Sequence, residues 1–156
     1  MDVLFQTQSN ELSTTTQKEK LFKDAERQWN TLSTEKGAPG RKVDFEIYKS
    51  ILYNLEIRKV YLDSKLSLEK FSSIVGTNTT YLSNVVNHYF KCNFKHLLNK
   101  YRIRYAKQLI SNEVYSPNEL YKPCGFSSRS AFYAAFKKIM RVSPLYYQKY
   151  YKDKQI

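Results

Sequence analysis

The chain has 156 residues, 42% of them hydrophobic, which is enough for one domain with a real core plus a tail. Its formal charge of +12 points to a polyanionic partner, nucleic acid or an acidic membrane, set against the plainer reading of a basic soluble protein. Two isolated cysteines and two histidines argue against a disulfide scaffold and a zinc site, and no apolar run is long enough to span a membrane.

The first 15 or so residues are polar, rich in Ser, Thr and Gln, and read as disordered. A helix is predicted over 17–33, where Phe22, Ala25, Trp29 and Leu32 recur at intervals of three and four and line one stripe. So short a stripe reads as a docking face, which makes this segment a candidate homodimer contact. Gly37-Ala-Pro-Gly40 reads as a break, so residues 1–42 form a tail and linker. Basic and acidic residues nearly balance in that tail, whereas 19 basic and 8 acidic residues follow from Val43 onward.

A helix is predicted from about Asp44, taken as its N-cap, with Tyr48, Ile51, Leu52 and Leu55 on its apolar face. Two similar blocks follow, 68–90 and 118–140. The strongest helical pattern lies between them, from about Phe94 to Ile110, with Asn93 as its cap. No strand pattern competes, so the expected fold is all-α, with about seven helices.

In the first block, Leu68, Phe71, Ser72 and Val75 belong to a short helix, Gly76 to a turn, and Tyr81, Leu82, Val85 and Val86 to a second helix. Two short helices at a sharp angle need a small residue in the seam, a turn residue tolerant of positive φ, and apolar residues on both sides. Leu120, Cys124, Gly125, Phe126, Phe132, Ala135 and Phe136 repeat the plan, with a turn one residue longer. Two helix-turn-helix units joined by a long helix result. A single such block would fit any αα-hairpin; the pair is far less expected by chance.

These residues resemble the DNA-binding domain of the AraC/XylS family of regulators. The resemblance covers about 43–150, leaving 151–156 as a C-terminal tail. It is most specific over Cys124-Gly-Phe-Ser-Ser-Arg-Ser-Ala-Phe-Tyr-Ala-Ala-Phe-Lys-Lys138, Val142-Ser-Pro144 and Tyr147. Asn93-Phe94 through Leu98, Tyr101-Arg102-Ile103 and Ala106 are similar to the family's linker helix. The family usually has glycine where Lys91 and Arg141 stand, so αL geometry at these two is expected to cost about 1 kcal/mol each. Tyr121 replaces a small residue, and Pro123 removes a hydrogen bond, so the first helix of the second unit is expected to be short or bent.

The resemblance implies a cytoplasmic, bacterial-type transcription regulator that binds double-stranded DNA and works with RNA polymerase. A linker of about 17 residues spans roughly 26 Å, compatible with successive major-groove faces about 34 Å apart. Recognition helices are predicted over 78–87 and 128–138. On the first, Thr79, Thr80, Ser83, Asn84 and Asn87 are short polar groups suited to base edges and phosphates. On the second, Arg129, Ser130 and Tyr133 face outward, with Arg129 a guanine reader or, nearly as well, a phosphate clamp. Lys91, Lys95, Lys137, Lys138 and Arg141 supply sequence-independent attraction. Arg102 and Arg104 on the linker are either further contacts or structural ion-pair partners.

No enzyme, metal or cofactor is expected, because no nucleophile–base pattern, metal spacing or glycine-rich phosphate loop is present. The main rival is a protein-interaction module that kept the fold and lost operator binding. A further reading is the output end of a larger sensor, since the family often places a sensing domain ahead of this module.

Overall fold

The computed structural model describes residues 16–31, 42–112 and 115–151. The stretch read as disordered, Leu32, the glycine-bounded break and the chain beyond Tyr151 lie outside them. All regular structure among the described residues is helical, as the pattern anticipates: α1 (16–31), α2 (Lys42–Leu52), α3 (Leu68–Val75), α4 (Thr79–Tyr89), α5 (Phe94–Ser111), α6 (Arg129–Met140) and α7 (Pro144–Tyr150). The chain divides into two compact units. The first comprises the described residues up to Lys59 together with Leu68–Lys91; the second comprises Val60–Ser67 and the described residues from Cys92 onward.

The first unit is built on α2, which starts two residues before Asp44, so Asp44 lies in the first turn rather than at the cap. α2 runs on into a π-helical turn, Tyr53–Ile57. There the buried Asn54 amide donates to the Ser50 carbonyl at 2.8 Å and its side-chain oxygen accepts from Arg58 at 3.0 Å, so a polar side chain with both ends partnered sits inside the core. The expected apolar face is the buried one: Tyr48, Ile51, Leu52 and Leu55 are buried, as are Phe71, Leu82, Val85 and Val86 of α3 and α4, the helices on which α2 packs. Truncating a fully buried Phe such as Phe71 to Ala costs about 3–5 kcal/mol. The stripe on α1 also turns inward. Ala25 and Trp29 are buried within this unit, while Phe22 is half-buried with its ring 6.2 Å from Tyr53.

The second unit is organised by α5, which begins at an Asn93 cap as expected, the side chain accepting from the His96 N–H at 2.8 Å. Ile103, Ala106 and Ile110 of α5 join Leu120, Cys124, Phe126, Phe132, Ala135, Phe136 and Tyr147 in one cluster. Burial within that cluster pushes the Cys124 thiol up to about 12, so it acts as a small hydrophobe. The short 3-10 turn Val60–Leu62 is tied to α5 by Arg102, whose guanidinium donates to the carbonyls of Tyr61 at 2.7 Å and Asp63 at 3.0 Å. Arg102 is therefore a structural cation, buried at 8% exposure and lying over the Phe126 ring; burial lowers its pKa and the Asp63 carboxylate opposes this.

Candidate nucleic-acid interface

Each unit contains one of the two helices predicted to be recognition helices, and the turns before them share a pair of hydrogen bonds. In the first unit Gly76 has φ +87°, its N–H is shared between Ser72 O at 3.0 Å and Ser73 O at 3.2 Å, and the Thr77 N–H donates to Ser72 O at 2.9 Å. In the second, Gly125 has φ +90°, its N–H donates to Lys122 O at 3.0 Å, and the Phe126 N–H donates to Tyr121 O at 2.8 Å. Both are Schellman turns with glycine in the left-handed position. What precedes them differs. α3 is a helix of eight residues, whereas 117–125 form successive turns, so the shortening expected from Pro123 extends to loss of the α-helix. Tyr121 is half-buried at the edge of the cluster rather than wedged through it.

α4 and α6 then repeat each other in a register of 50 residues. Asn78 and Ser128 cap them, accepting from the N–H groups of Tyr81 and Ala131. Leu82, Val85 and Val86 are buried at the positions of Phe132, Ala135 and Phe136. Lys91 and Arg141 follow with φ +61° and +66°, the αL geometry expected of them. These helices start and end within about two residues of the predicted bounds.

The expected contact residues fall into two groups. Thr80, Asn84, Asn87, Lys91, Lys95, Arg129, Ser130, Lys137, Lys138 and Arg141 are exposed. Thr79, Ser83 and Tyr133 are half-buried. Tyr133 packs against the second cluster and its hydroxyl donates to Asn118 Oδ1 at 2.8 Å, so it holds the turn segment rather than pointing freely outward. Asn84 and Asn87 share a groove with Tyr81, His88 and Asp44. Tyr81 and His88 were not foreseen, although the register places His88 opposite Lys138. Lys95 and Lys138 share a second groove with Asn99, Ser127, Ala131 and Ala134. Partial burial, with the ammonium groups of Lys100 and Lys138 nearby, lowers the His96 pKa.

The profile of the helix-turn-helix domain family matches residues 71–150. The chain belongs to the AraC-type helix-turn-helix family. The C-terminal domain of AraT, a response regulator from Geobacillus stearothermophilus, is 29% identical, with a TM-score of 0.59 over 67% of this chain and 84% of that one. The C-terminal domain of the two-component response regulator yesN from Fusobacterium nucleatum is 26% identical, with a TM-score of 0.56 over 63% of this chain and 95% of that one. The DNA-binding domain of AdpA, a global transcriptional factor solved with a target DNA, shares the fold at 18% identity, with a TM-score of 0.61 over 70% of this chain and 95% of that one. No curated protein matches the sequence significantly. The AraC-type domain is a DNA-binding domain, and both of its glycine-turned units are present here. Among the described residues no helix is long and apolar enough to cross a membrane.

Proposed function

We propose that this chain is a sequence-specific transcription regulator that inserts α4 and α6 into two adjacent major-groove segments of duplex DNA. The observation that carries the reading is the common register of α4 and α6. Two capped helices bury the same three positions and share exposed positions at 80 and 130, 84 and 134, 87 and 137, and 88 and 138, and both are followed by a left-handed basic residue. Thr80, Asn84 and Asn87 on α4, and Arg129 and Ser130 on α6, are the proposed base-edge readers. Thr79, Ser83 and Tyr133 are proposed to support them from the margins of the same helices. Lys91, Lys95, Lys137, Lys138 and Arg141 are proposed to neutralise phosphates. The role is one of binding, in the cytoplasm, with RNA polymerase as the partner that the family resemblance adds. A second copy docked through the N-terminal segment would have to use residues other than Ala25 and Trp29, which are buried within their own unit.

Selection of preferred duplexes from random DNA, followed by titration across salt, tests this. A preferred sequence should emerge, and its affinity should fall steeply between roughly 50 and 200 mM salt, with a log–log slope of about −0.9 per neutralised phosphate. A binding constant that does not move over that range rejects the DNA reading and leaves a protein-interaction module on the same fold.

A further inference from the structure

The far end of α6 is held from behind by the helix that follows it. After Arg141 turns the chain, Ser143 caps α7, and the buried Tyr147 sets its ring 5.7 Å from that of Phe136. The first unit has no such helix of its own, because α5, which follows Lys91, belongs to the second unit. Within the first unit the far end of α4 meets α1 instead. The Trp29 ring lies 4.3 Å from that of Tyr89, the last residue of α4, and 5.5 and 5.7 Å from Phe45 and Tyr48 of α2. Tyr48 continues the cluster, with its ring 5.1 Å from Phe90 and its hydroxyl donating to Gln28 of α1 at 2.9 Å. The Tyr89 hydroxyl donates to the Asp44 carboxylate at 3.3 Å. His88 then stands edge-on to Tyr89 at 4.6 Å, in the groove that holds Asn84 and Asn87. Trp29 lies well outside residues 71–150, the part matched by the family profile.

We propose that Trp29 is a positioning residue for DNA recognition, acting through Tyr89 to set the far end of α4, and with it Asn84, Asn87 and His88, against the bases. The inference rests on the DNA-binding reading above. Its physical basis is that hydrogen-bond readout tolerates displacements of only about 0.5 Å and 10–20°, so a recognition helix fixed at one end alone reads poorly. A tilted aromatic pair such as Trp29 and Tyr89 constrains ring orientation as well as burying area, which an aliphatic side chain of similar bulk does not. α1 is thereby part of the reading head rather than a leader to it.

The test uses the full chain and its selected duplex, with the bases under α4 and those under α6 randomised separately. Trp29→Phe keeps a ring on Tyr89 and should hold discrimination at the α4 bases within about twofold of wild type. Trp29→Leu keeps apolar bulk without the ring and should lower that discrimination about three- to tenfold. Preference at the α6 bases and affinity for unrelated duplex should stay unchanged in both. A Leu variant that discriminates like wild type, or one that loses both sets of bases equally, overturns the proposal. A second measurement needs no variant, because Trp29 is the sole tryptophan of the chain. Trp29 touches the last residue of α4, so engagement of α4 by its preferred bases should be felt at the indole. Its emission should shift with duplex carrying the preferred α4 bases and not when those bases alone are scrambled; equal responses overturn the proposal. Failure of wild type to prefer any bases rejects the DNA reading itself, and this inference with it.

Discussion

The two helix-turn-helix units reach the same turn from different starting material. α3 arrives as an eight-residue helix with Ser72 buried in the seam, its hydroxyl donating to the Glu69 carbonyl at 2.7 Å. The matching stretch of the second unit carries Tyr121 and Pro123 and forms only turns, yet it delivers Gly125 with the same two hydrogen bonds that define Gly76. Pro123 removes one donor, and the turn does not use that donor. The geometry that aims a recognition helix therefore resides in the glycine turn and in the buried residues on either side, such as Leu120, Cys124 and Phe132, all fully buried. The second unit makes its turn without an α-helix in front of it.

The glycines themselves are not equivalent, and this gives the largest expected difference between the units. A Cβ on Gly76 would meet nothing within 4 Å, so Gly76→Ala carries only the backbone strain of a positive φ, about 1–2 kcal/mol. A Cβ on Gly125 would stand 2.5 Å from the Tyr61 carbonyl oxygen and 3.0 Å from Leu62 backbone atoms. That carbonyl is the acceptor of the buried Arg102, so it has little freedom to retreat. Gly125→Ala should cost about 3–5 kcal/mol, strain and overpacking together. Urea denaturation of both variants checks this, and equal losses would mean that the second turn can shift away from Tyr61.

A second difference is chemical. α4 contains neither Lys nor Arg, and its exposed face offers hydroxyl, amide, phenol and imidazole groups through Thr80, Tyr81, Asn84, Asn87 and His88. α6 exposes the methyl groups of Ala131 and Ala134 between Arg129 at one end and Lys137 and Lys138 at the other. On the proposed function both helices read bases, and the uncharged face of α4 supplies more of the discrimination while α6 adds more of the charge attraction. Replacing Thr80 and Asn84 together by Ala should lower preference for the selected site by about 1–3 kcal/mol, with little change on unrelated duplex. Replacing Arg129 and Ser130 together should lower that preference less, and should also weaken binding to unrelated duplex and flatten the salt dependence, because a cation is lost. Footprints of the two double variants on one site decide the matter; loss of preference confined to the Arg129 and Ser130 variant would reverse the assignment.

Much of this arrangement could be read in the chain because it is local. A capping side chain, an apolar spacing and a glycine past a helix end all act within a few residues, so Asn93 was read as the cap of α5, and the starts of α4 and α6 were placed at Asn78 and Ser128, one residue before the helices begin. The misses are long-range. Periodicity revealed the Ala25 and Trp29 stripe, but nothing near it in the chain says that it closes on Tyr89, sixty residues later. Tyr133 looked free because the period assigns it a direction and not a partner, and Asn118 supplies one. Arg102 looked like either a DNA contact or half of an ion pair, and it found backbone carbonyls from a segment some forty residues upstream. Asp44 was read as a cap because Asp favours that position, but an acidic residue is equally at home in the first turn, where the helix dipole stabilises it.

The smallest expected effect concerns the two residues that end the recognition helices. Lys91 and Arg141 occupy left-handed geometry that disfavours any Cβ. The Arg141 N–H still donates to Lys137 O at 2.9 Å, a bond that glycine would keep. Lys91→Gly and Arg141→Gly should therefore each stabilise the fold, by about 1 kcal/mol. If the side chains neutralise phosphates, each should also weaken binding on every duplex alike and reduce the salt slope by about one. The two losses should differ. Arg141 stands beside Lys137 and Lys138, whereas no other Lys or Arg lies between Asn78 and Lys91. Removing Lys91 strips the first unit of the cation nearest its recognition helix, so it should weaken binding more than removing Arg141. Paired thermal melts and salt titrations of the two variants measure both quantities. Stabilisation with undiminished binding would show these to be ordinary surface charges. Weakened binding without stabilisation would show that the left-handed turn costs a lysine or an arginine nothing here.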